Sequence, residues 1–243
     1  MNKTVLISGV TGGLGESIAE RFIENGYFVI GTYARNIKKA TVLKNKFGEN
    51  NLKLYCIDQS MVDIVGHKIK KIINENKKID IFIVNSGTTR DEFLFNMSYG
   101  AWKHVIDVNL ISSIKLAKVI FDNMKKYKKG RIIFISSVSG VYGREGQSNY
   151  ASTKGGLIGL MQLLSSQVEA DEDIVINSLA PGMIDTEMIN SVDRRILDNF
   201  INVCSAKRIG KPNDVAELVY LLATIQHNYL NSTLINLDGG FLK

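Results

Sequence analysis

Short apolar runs alternate with amphipathic stretches from one end of this 243-residue chain to the other, and that alternation constrains the fold more than any other feature. Strand-length runs fall at residues 4–8, 28–32, 53–57, 80–84, 131–136, 174–179 and 233–237. Helical stretches lie between them at 14–25, 37–47, 61–76, 99–124, 150–169 and 212–223. Short strands separated by helices of roughly 10–20 residues imply a parallel sheet covered on both faces. The expected fold class is therefore α/β, a doubly wound, Rossmann-type sheet forming a single domain over residues 1–243. Residues 99–124 are expected as one long helix. The stretch 185–207 is less regular and reads either as a mobile helical insertion over the site or as a surface helix pair.

Composition excludes several classes. Hydrophobic residues make up 45% and charged residues 22%, as in an ordinary globular protein. The two cysteines, Cys56 and Cys204, are too few for a disulfide framework and read as reduced packing residues. His67, His104 and His227 lack metal-ligand spacing, so no metal is expected. No apolar run reaches the roughly 18 residues of a membrane span. The start, Met1 to Thr4, leads into a strand and not into a signal peptide. These features together predict a cytoplasmic protein without membrane contact. The net charge is +6, and two basic clusters stand out, Lys68/Lys70/Lys71/Lys77/Lys78 and Lys125/Lys126/Lys128/Lys129/Arg131. They read as solvated helix faces or as attraction for anionic partners, such as a phosphate-bearing cofactor or an acidic carrier protein. Nucleic acid is not expected, because no aromatics interleave with the basic residues.

The first strand runs into Ser8-Gly9-Val10-Thr11-Gly12-Gly13-Leu14-Gly15. Glycine permits positive φ and omits the Cβ that would block a pyrophosphate. A helix opening near Gly13 offers free N–H groups and a positive dipole end to phosphates. The strand–turn–helix context points to dinucleotide binding through Gly9, Thr11, Gly12, Gly13, Leu14 and Gly15.

A second constellation lies downstream. The fifth strand ends in Ser136-Ser137, and the next helix carries Tyr150-Ala151-Ser152-Thr153-Lys154. Positions 150 and 154 share one helix face. Tyrosine is a poor acid near neutral pH because its ordinary pKa is ~10. A lysine ammonium one turn away favours the phenolate and is expected to lower that value. Such a pair can give a proton to a developing alkoxide. The Ser137 hydroxyl on the neighbouring strand end can hold the carbonyl oxygen.

The glycine spacing resembles the TGxxxGxG pattern of the short-chain dehydrogenase/reductase family, with Ser8 for Thr. With Tyr150, Lys154 and the stretches 85–91, 105–110, 146–159, 180–188, 208–216 and 238–240, the whole chain is similar to that family. Its nearest likeness is to the 3-oxoacyl-(acyl-carrier-protein) reductases. The resemblance implies that Tyr150 is the general acid, that Lys154 binds the nicotinamide ribose, and that Ser137 orients the substrate carbonyl. It implies that Asn109 positions a water linking Lys154 to solvent. Asp58 would meet the adenine amino group, and Asn85, Ser86 and Gly87 would support the cofactor. Pro181, Gly182, Ile184 and Thr186 would hold the nicotinamide carboxamide. The reaction implied is NADPH-dependent reduction of a 3-oxoacyl thioester in fatty-acid or polyketide-type biosynthesis, with a carrier-protein-bound or small-molecule substrate. An acidic acyl carrier protein would dock on basic residues, for which Lys125–Lys129 are the candidates, next to the acidic run 169–173. A related reductase for a CoA ester, free ketone or sugar, and a cofactor-sensing regulator on the same fold, are the alternatives.

Two departures from the family pattern stand out: Val84 precedes Asn85-Ser86-Gly87 where a second Asn is usual, and Ser232 replaces a usual Gly. The end of strand two, Gly31-Thr32-Tyr33-Ala34-Arg35-Asn36, holds no carboxylate to bind a ribose 2′-hydroxyl. Arg35 instead suits a 2′-phosphate, which predicts NADPH over NADH, with Thr32 or Tyr33 adding a hydroxyl. Gly155, Gly156 and Gly159 in the Tyr150 helix suggest close approach to another backbone. The family pairs such helices into homodimers or homotetramers; packing on the chain's own sheet is the alternative.

Overall fold

The computed structural model describes residues 3–241; Met1 and Asn2, with their part in the expected lead-in to the first strand, lie outside the described residues. Seven parallel strands form one sheet: β1 (Thr4–Ile7), β2 (Phe28–Tyr33), β3 (Leu52–Cys56), β4 (Ile81–Val84), β5 (Lys129–Ile135), β6 (Asp173–Pro181) and β7 (Leu234–Leu237). The strand order is β3-β2-β1-β4-β5-β6-β7. It reverses between β1 and β4, and this switch point opens a crevice at the carboxyl ends of the strands.

Period-two alternation sorts the strand side chains onto two faces. Leu6, Ile30, Phe82, Ile132, Phe134 and Ile176 point into one core. Val5, Ile7, Val29, Ile83, Ile133 and Leu179 point into the other. Both faces are therefore buried, which is why the strands read as unbroken apolar runs. On the first face lie α3 (Val62–Asn76), through Val65, Ile69 and Ile72, and the two later helices that bury Leu116, Ile120 and Met124 and Leu157, Met161 and Leu164 there. On the second lie α1 (Gly13–Glu24), through Ile18, Ala19 and Phe22, and α2 (Ile37–Phe47), through Leu43.

The expected long helix at 99–124 is not uniform. It runs as α4 (Tyr99–Ile106), a single π-helical turn at Asp107–Ile111, and α5 (Ser112–Lys126). Leu116, Ile120 and Met124 give α5 its buried stripe. The wide turn carries Asn109, and neither Gly nor Pro marks it. A five-residue helix, α6 (Val138–Tyr142), also escapes the periodicity, being shorter than two turns. The following helix, α7 (Ser148–Ser166), begins two residues earlier than expected and stops at Ser166 rather than 169. The irregular stretch 185–207 forms a short 3₁₀ turn (Glu187–Ser191) and α8 (Arg194–Val203). Of its residues, Met188, Ile189, Val192 and Phe200 line the main cavity, so it stands beside the site. Finally α9 (Pro212–Thr224) packs Val215, Val219 and Leu222 on the second face, and Arg21 of α1 pairs with its Glu217 at 2.7 Å.

The structure bears on four further expectations. Cys204 is buried as expected, but Cys56 is exposed on the sheet edge and is no packing residue. Ser232 adopts a φ of +55°, which explains why glycine is usual at its position. The basic residues offered as a carrier dock are largely neutralised within the chain. Lys125 pairs with Glu169 and Glu172, Lys128 with Asp171, and Lys129 with Asp173, because β5 and β6 are neighbours and bring the two runs together. Of the α7 glycines, two are explained inside the chain. A Cβ at Gly155 would lie 3.2 Å from the Gly140 carbonyl, and one at Gly156 would lie 2.9 Å from Leu110; only Gly159 faces open space.

Candidate active site

The phosphate loop connects β1 to α1 and is built on close backbone approach. Gly9 has a φ of +71°, and a Cβ there would lie 2.8 Å from the Ser86 hydroxyl. A Cβ at Gly15 would lie 2.3 Å from the Gly9 carbonyl, so neither position accepts a side chain. Ser8 is fully buried, and its hydroxyl accepts from the N–H groups of Asn85 (2.9 Å) and Ser86 (3.0 Å). The Asn85 amide donates to the carbonyls of Ser8 (3.0 Å) and Gly9 (3.2 Å). The end of β4 thus fixes the loop that follows β1.

This cradle fits a dinucleotide. Gly12 caps α1 without any side-chain hydrogen bond, so the first-turn N–H groups face the loop rather than a capping oxygen. Thr11, Gly12, Gly13 and Leu14 line a cavity of about 790 Å³ that continues along the whole carboxyl edge of the sheet. Opposite the loop, Thr186 comes so near that a Cβ at Gly13 would lie 3.1 Å from its methyl. Pro181, Gly182 and Ile184 line the same wall.

At the far end, Arg35 follows β2 and is 77% exposed, with its Nε 3.6 Å from Asp58. Asp58 also accepts from the N–H (2.9 Å) and hydroxyl (2.6 Å) of Ser60. The Ser60 hydroxyl, with Arg35 adding to it, holds the Asp58 carboxyl below its ordinary value. Thr32 lines the cavity and is held against the phosphate loop. It is 2% exposed, and its oxygen accepts from the Gly9 N–H at 3.4 Å. Tyr33 lines the cavity as well.

The reacting end is assembled from β5, α6 and α7. Ser137 caps α6, its hydroxyl accepting from the Ser139 N–H at 3.1 Å. Lys154 is 3% exposed and donates to the Ile135 carbonyl at 2.8 Å. Ser136 donates to the Lys154 carbonyl at 2.8 Å, clamping α7 to the strand end. Burial pushes Tyr150 up to about 12, with the Ser137 hydroxyl pulling back only in part. Burial likewise brings Lys154 down to about 8. The lowering of Tyr150 expected from its lysine neighbour is therefore overridden: among the protein's own groups, desolvation favours the neutral form of both.

Asn109 is fully buried and alone among the expected site residues does not line the cavity. Its amide is spent within the protein: the oxygen accepts from the Thr88 N–H (2.8 Å), and the nitrogen donates to the Thr88 carbonyl (2.9 Å) and Thr153 hydroxyl (3.1 Å). Gly87 lies against both groups, since a Cβ there would sit 3.4 Å from Lys154 Nζ and 3.7 Å from Asn109 Oδ1.

The short chain dehydrogenase family matches residues 3–196. The chain belongs to that family. The 3-oxoacyl-[acyl-carrier-protein] reductase FabG of Staphylococcus epidermidis is 31% identical over 242 residues, 99% of each chain. The same-named protein of Vibrio harveyi is 33% identical over 238 residues, 98% of this chain and 96% of its own. Among solved structures, ElxO with NADP bound superposes with a TM-score of 0.88 at 29% identity. A tyrosine-to-phenylalanine variant of ElxO with NADPH bound superposes with 0.89 at 28%; each covers 99% of both chains. Among the described residues of this short-chain dehydrogenase, no helix is long and apolar enough to cross a membrane.

Sequence reasoning missed the residues that support the site. Ser139 donates to Gln147 (2.9 Å), and Gln147 donates to Asp91 (2.7 Å). The Asn149 amide donates to the Arg90 carbonyl at 2.9 Å. This network ties the segment after β4 to the start of α7. Asp91, Gln147 and Asn149 all fall in the stretches that resemble the family, and only their partners reveal what they do. Tyr142, Phe200 and Phe241 also line the cavity; they come from distant parts of the chain and carry no shared motif.

Proposed function

We propose that this chain reduces a 3-oxoacyl thioester, carrier-protein-bound, to the 3-hydroxyacyl thioester in fatty-acid or polyketide-type chain building. The cofactor is NADPH. One observation carries the reading: Ser137, Tyr150 and Lys154 line the same cavity as the phosphate loop, at the end opposite Arg35. The full-length similarity to proteins named 3-oxoacyl-[acyl-carrier-protein] reductase supports the substrate class.

NADPH held in this cleft would supply the hydride for the 3-keto carbon. The chain's own groups do the rest. Ser137 donates to the keto oxygen and orients it. Tyr150 gives its phenolic proton to the oxygen as negative charge develops there. Lys154 holds the ribose and stabilises the phenolate left behind. Asn109 fixes the wide turn and the Thr88 backbone beside Lys154, where a water resupplies the proton. Arg35 takes the 2′-phosphate, Asp58 meets the adenine, and Asn85, Ser86 and Gly87 back the cofactor. Pro181, Gly182, Ile184 and Thr186 hold the carboxamide.

Residues 1–243 act as one catalytic domain in the cytoplasm. The chain assembles as a homodimer or homotetramer, for which the open face at Gly159 of α7 leaves room. Steady-state assays with acetoacetyl-CoA and acetoacetyl-carrier protein, each with NADPH and NADH, test the reading. Turnover of both thioesters with NADPH supports it. Turnover of simple ketones or sugars with no activity on either thioester rejects it.

A further inference from the structure

We propose that Phe241, stacked on Phe200, is the end wall of the acyl pocket and sets which acyl-chain lengths this enzyme turns over best. The inference rests on the 3-oxoacyl reading for its substrate and adds a specificity-determining residue to it.

The wall is made by the chain turning back on itself. Gly239 and Gly240, with φ of +68° and +73°, reverse the backbone after β7. Side chains are excluded there, since a Cβ at Gly239 would lie 2.6 Å from Cys204 Sγ and one at Gly240 would lie 2.8 Å from the Ser205 hydroxyl. Ser205 and Ala206 donate their N–H groups to the Gly240 (3.2 Å) and Gly239 (2.9 Å) carbonyls, and Phe241 pairs with Cys204 in an antiparallel bridge. The tail is thereby seated on the end of α8.

That seating places three rings in a row. Phe241 stacks on Phe200 of α8 with centroids 5.1 Å apart and planes 15° from parallel. Its other neighbour is Tyr142 of α6, at 6.3 Å. Tyr142 is itself held, its hydroxyl accepting from the Asn236 amide at 3.1 Å. Phe200 is 5% exposed and presses on the carboxamide loop, because a Cβ at Gly182 would lie 2.9 Å from its Cζ. All three rings line the cavity that contains Tyr150. Packed aromatic rings yield little to an incoming chain.

The rings stand away from the reacting carbonyl by the length of α6: Ser137, which orients that carbonyl, caps the N-terminus of the helix, and Tyr142, against which Phe241 lies at 6.3 Å, ends it. An acyl tail that extends past α6 in this cavity meets the rings.

The experiment compares kcat/KM for acetoacetyl-, 3-oxohexanoyl- and 3-oxooctanoyl-CoA in the parent, Phe241→Ala and Phe241→Leu. Thermal unfolding and NADPH binding serve as controls for the fold. Each methylene newly accommodated is worth ~0.8 kcal/mol, about four-fold. Phe241→Ala is therefore expected to raise the octanoyl-to-acetoacetyl ratio at least about ten-fold, with Phe241→Leu between the two. An unchanged ratio in folded, NADPH-binding variants overturns the proposal. If Phe241→Ala loses its fold, Phe241→Leu and Phe241→Met are read by the same ratio. A parent inactive on every thioester rejects the thioester reading alone. The wall is then judged on ethyl, butyl and hexyl methyl ketones by the same criterion.

Discussion

The Lys154 ammonium lies 5.5 Å from the centroid of the Tyr150 ring while donating to the Ile135 carbonyl at 2.8 Å. The lysine is thus anchored to the strand end and faces the phenol without forming an ion pair. Tyr150→Phe is expected to keep the fold and NADPH affinity and to lose turnover by on the order of 10²–10⁴-fold, the span of general acid catalysis. Near-parental turnover would point to another proton donor.

The same pair sets a pH dependence. Lys154 titrates near 8 in the folded protein against 10.5 ordinarily, because of its burial. Tyr150, near 12 for the same reason, keeps its proton throughout that range. Reductive kcat/KM is expected to fall as pH rises through about 8, where the lysine loses its charge. Lys154→Arg, which cannot lose its proton in this range, is expected to lower the rate but remove that limb. A limb that persists in the arginine variant refutes the assignment.

Stability follows the opposite course. Between pH of about 8 and 10.5 the unfolded lysine holds more proton than the folded one, so stability rises with pH across that window. The ceiling is on the order of 3 kcal/mol. Above about 10 the raised Tyr150 pKa works the other way, since the folded phenol then binds more proton, and stability falls. Denaturant unfolding of the parent and Lys154→Met from pH 7 to pH 10 checks this. The variant is expected to lose the rise.

Arg35 is expected to carry the cofactor preference. Arg35→Ala should reduce the NADPH-to-NADH ratio of kcat/KM by roughly 10–100-fold, the worth of ~1.5–3 kcal/mol in charge-assisted hydrogen bonds. Asp58→Asn, which removes the carboxylate 3.6 Å from Arg35, is expected to raise the same ratio. An unchanged ratio in Arg35→Ala means that the 2′-phosphate is held elsewhere.

Two backbone positions give stability and activity tests of their own. A Cβ at Gly140 would lie 2.7 Å from the Lys154 backbone carbon and Cβ. Gly140→Ala is therefore expected to displace α7 and cut turnover by on the order of 10²-fold, as small misplacements of catalytic groups do. Ser232→Gly relieves a left-handed serine and is expected to stabilise by up to about 1 kcal/mol, the strain released less the added backbone entropy of glycine. Chemical denaturation reads the second, and a loss of more than about 1 kcal/mol contradicts it.

The sequence by itself determined the doubly wound sheet, the phosphate turn and the Ser137, Tyr150 and Lys154 set, because each is written locally. Buried parallel strands are continuous apolar runs, a pyrophosphate turn needs glycines in close succession, and a Tyr and a Lys four residues apart share a helix face. Tertiary structure alone decided what depends on distant partners. The wide turn at Asn109 rests on Thr88, which sequence spacing cannot bring near. Thr32 is tied to the phosphate loop because its hydroxyl accepts from the Gly9 N–H, 23 residues earlier in the chain. The Lys125–Lys129 charges are answered by residues 169–173 because parallel pairing sets β5 beside β6. Tyr150 and Lys154 shift away from their charged forms because the strand ends and helices packed around the cleft desolvate them, and desolvation is a property of the packed fold that no local pattern of residues contains.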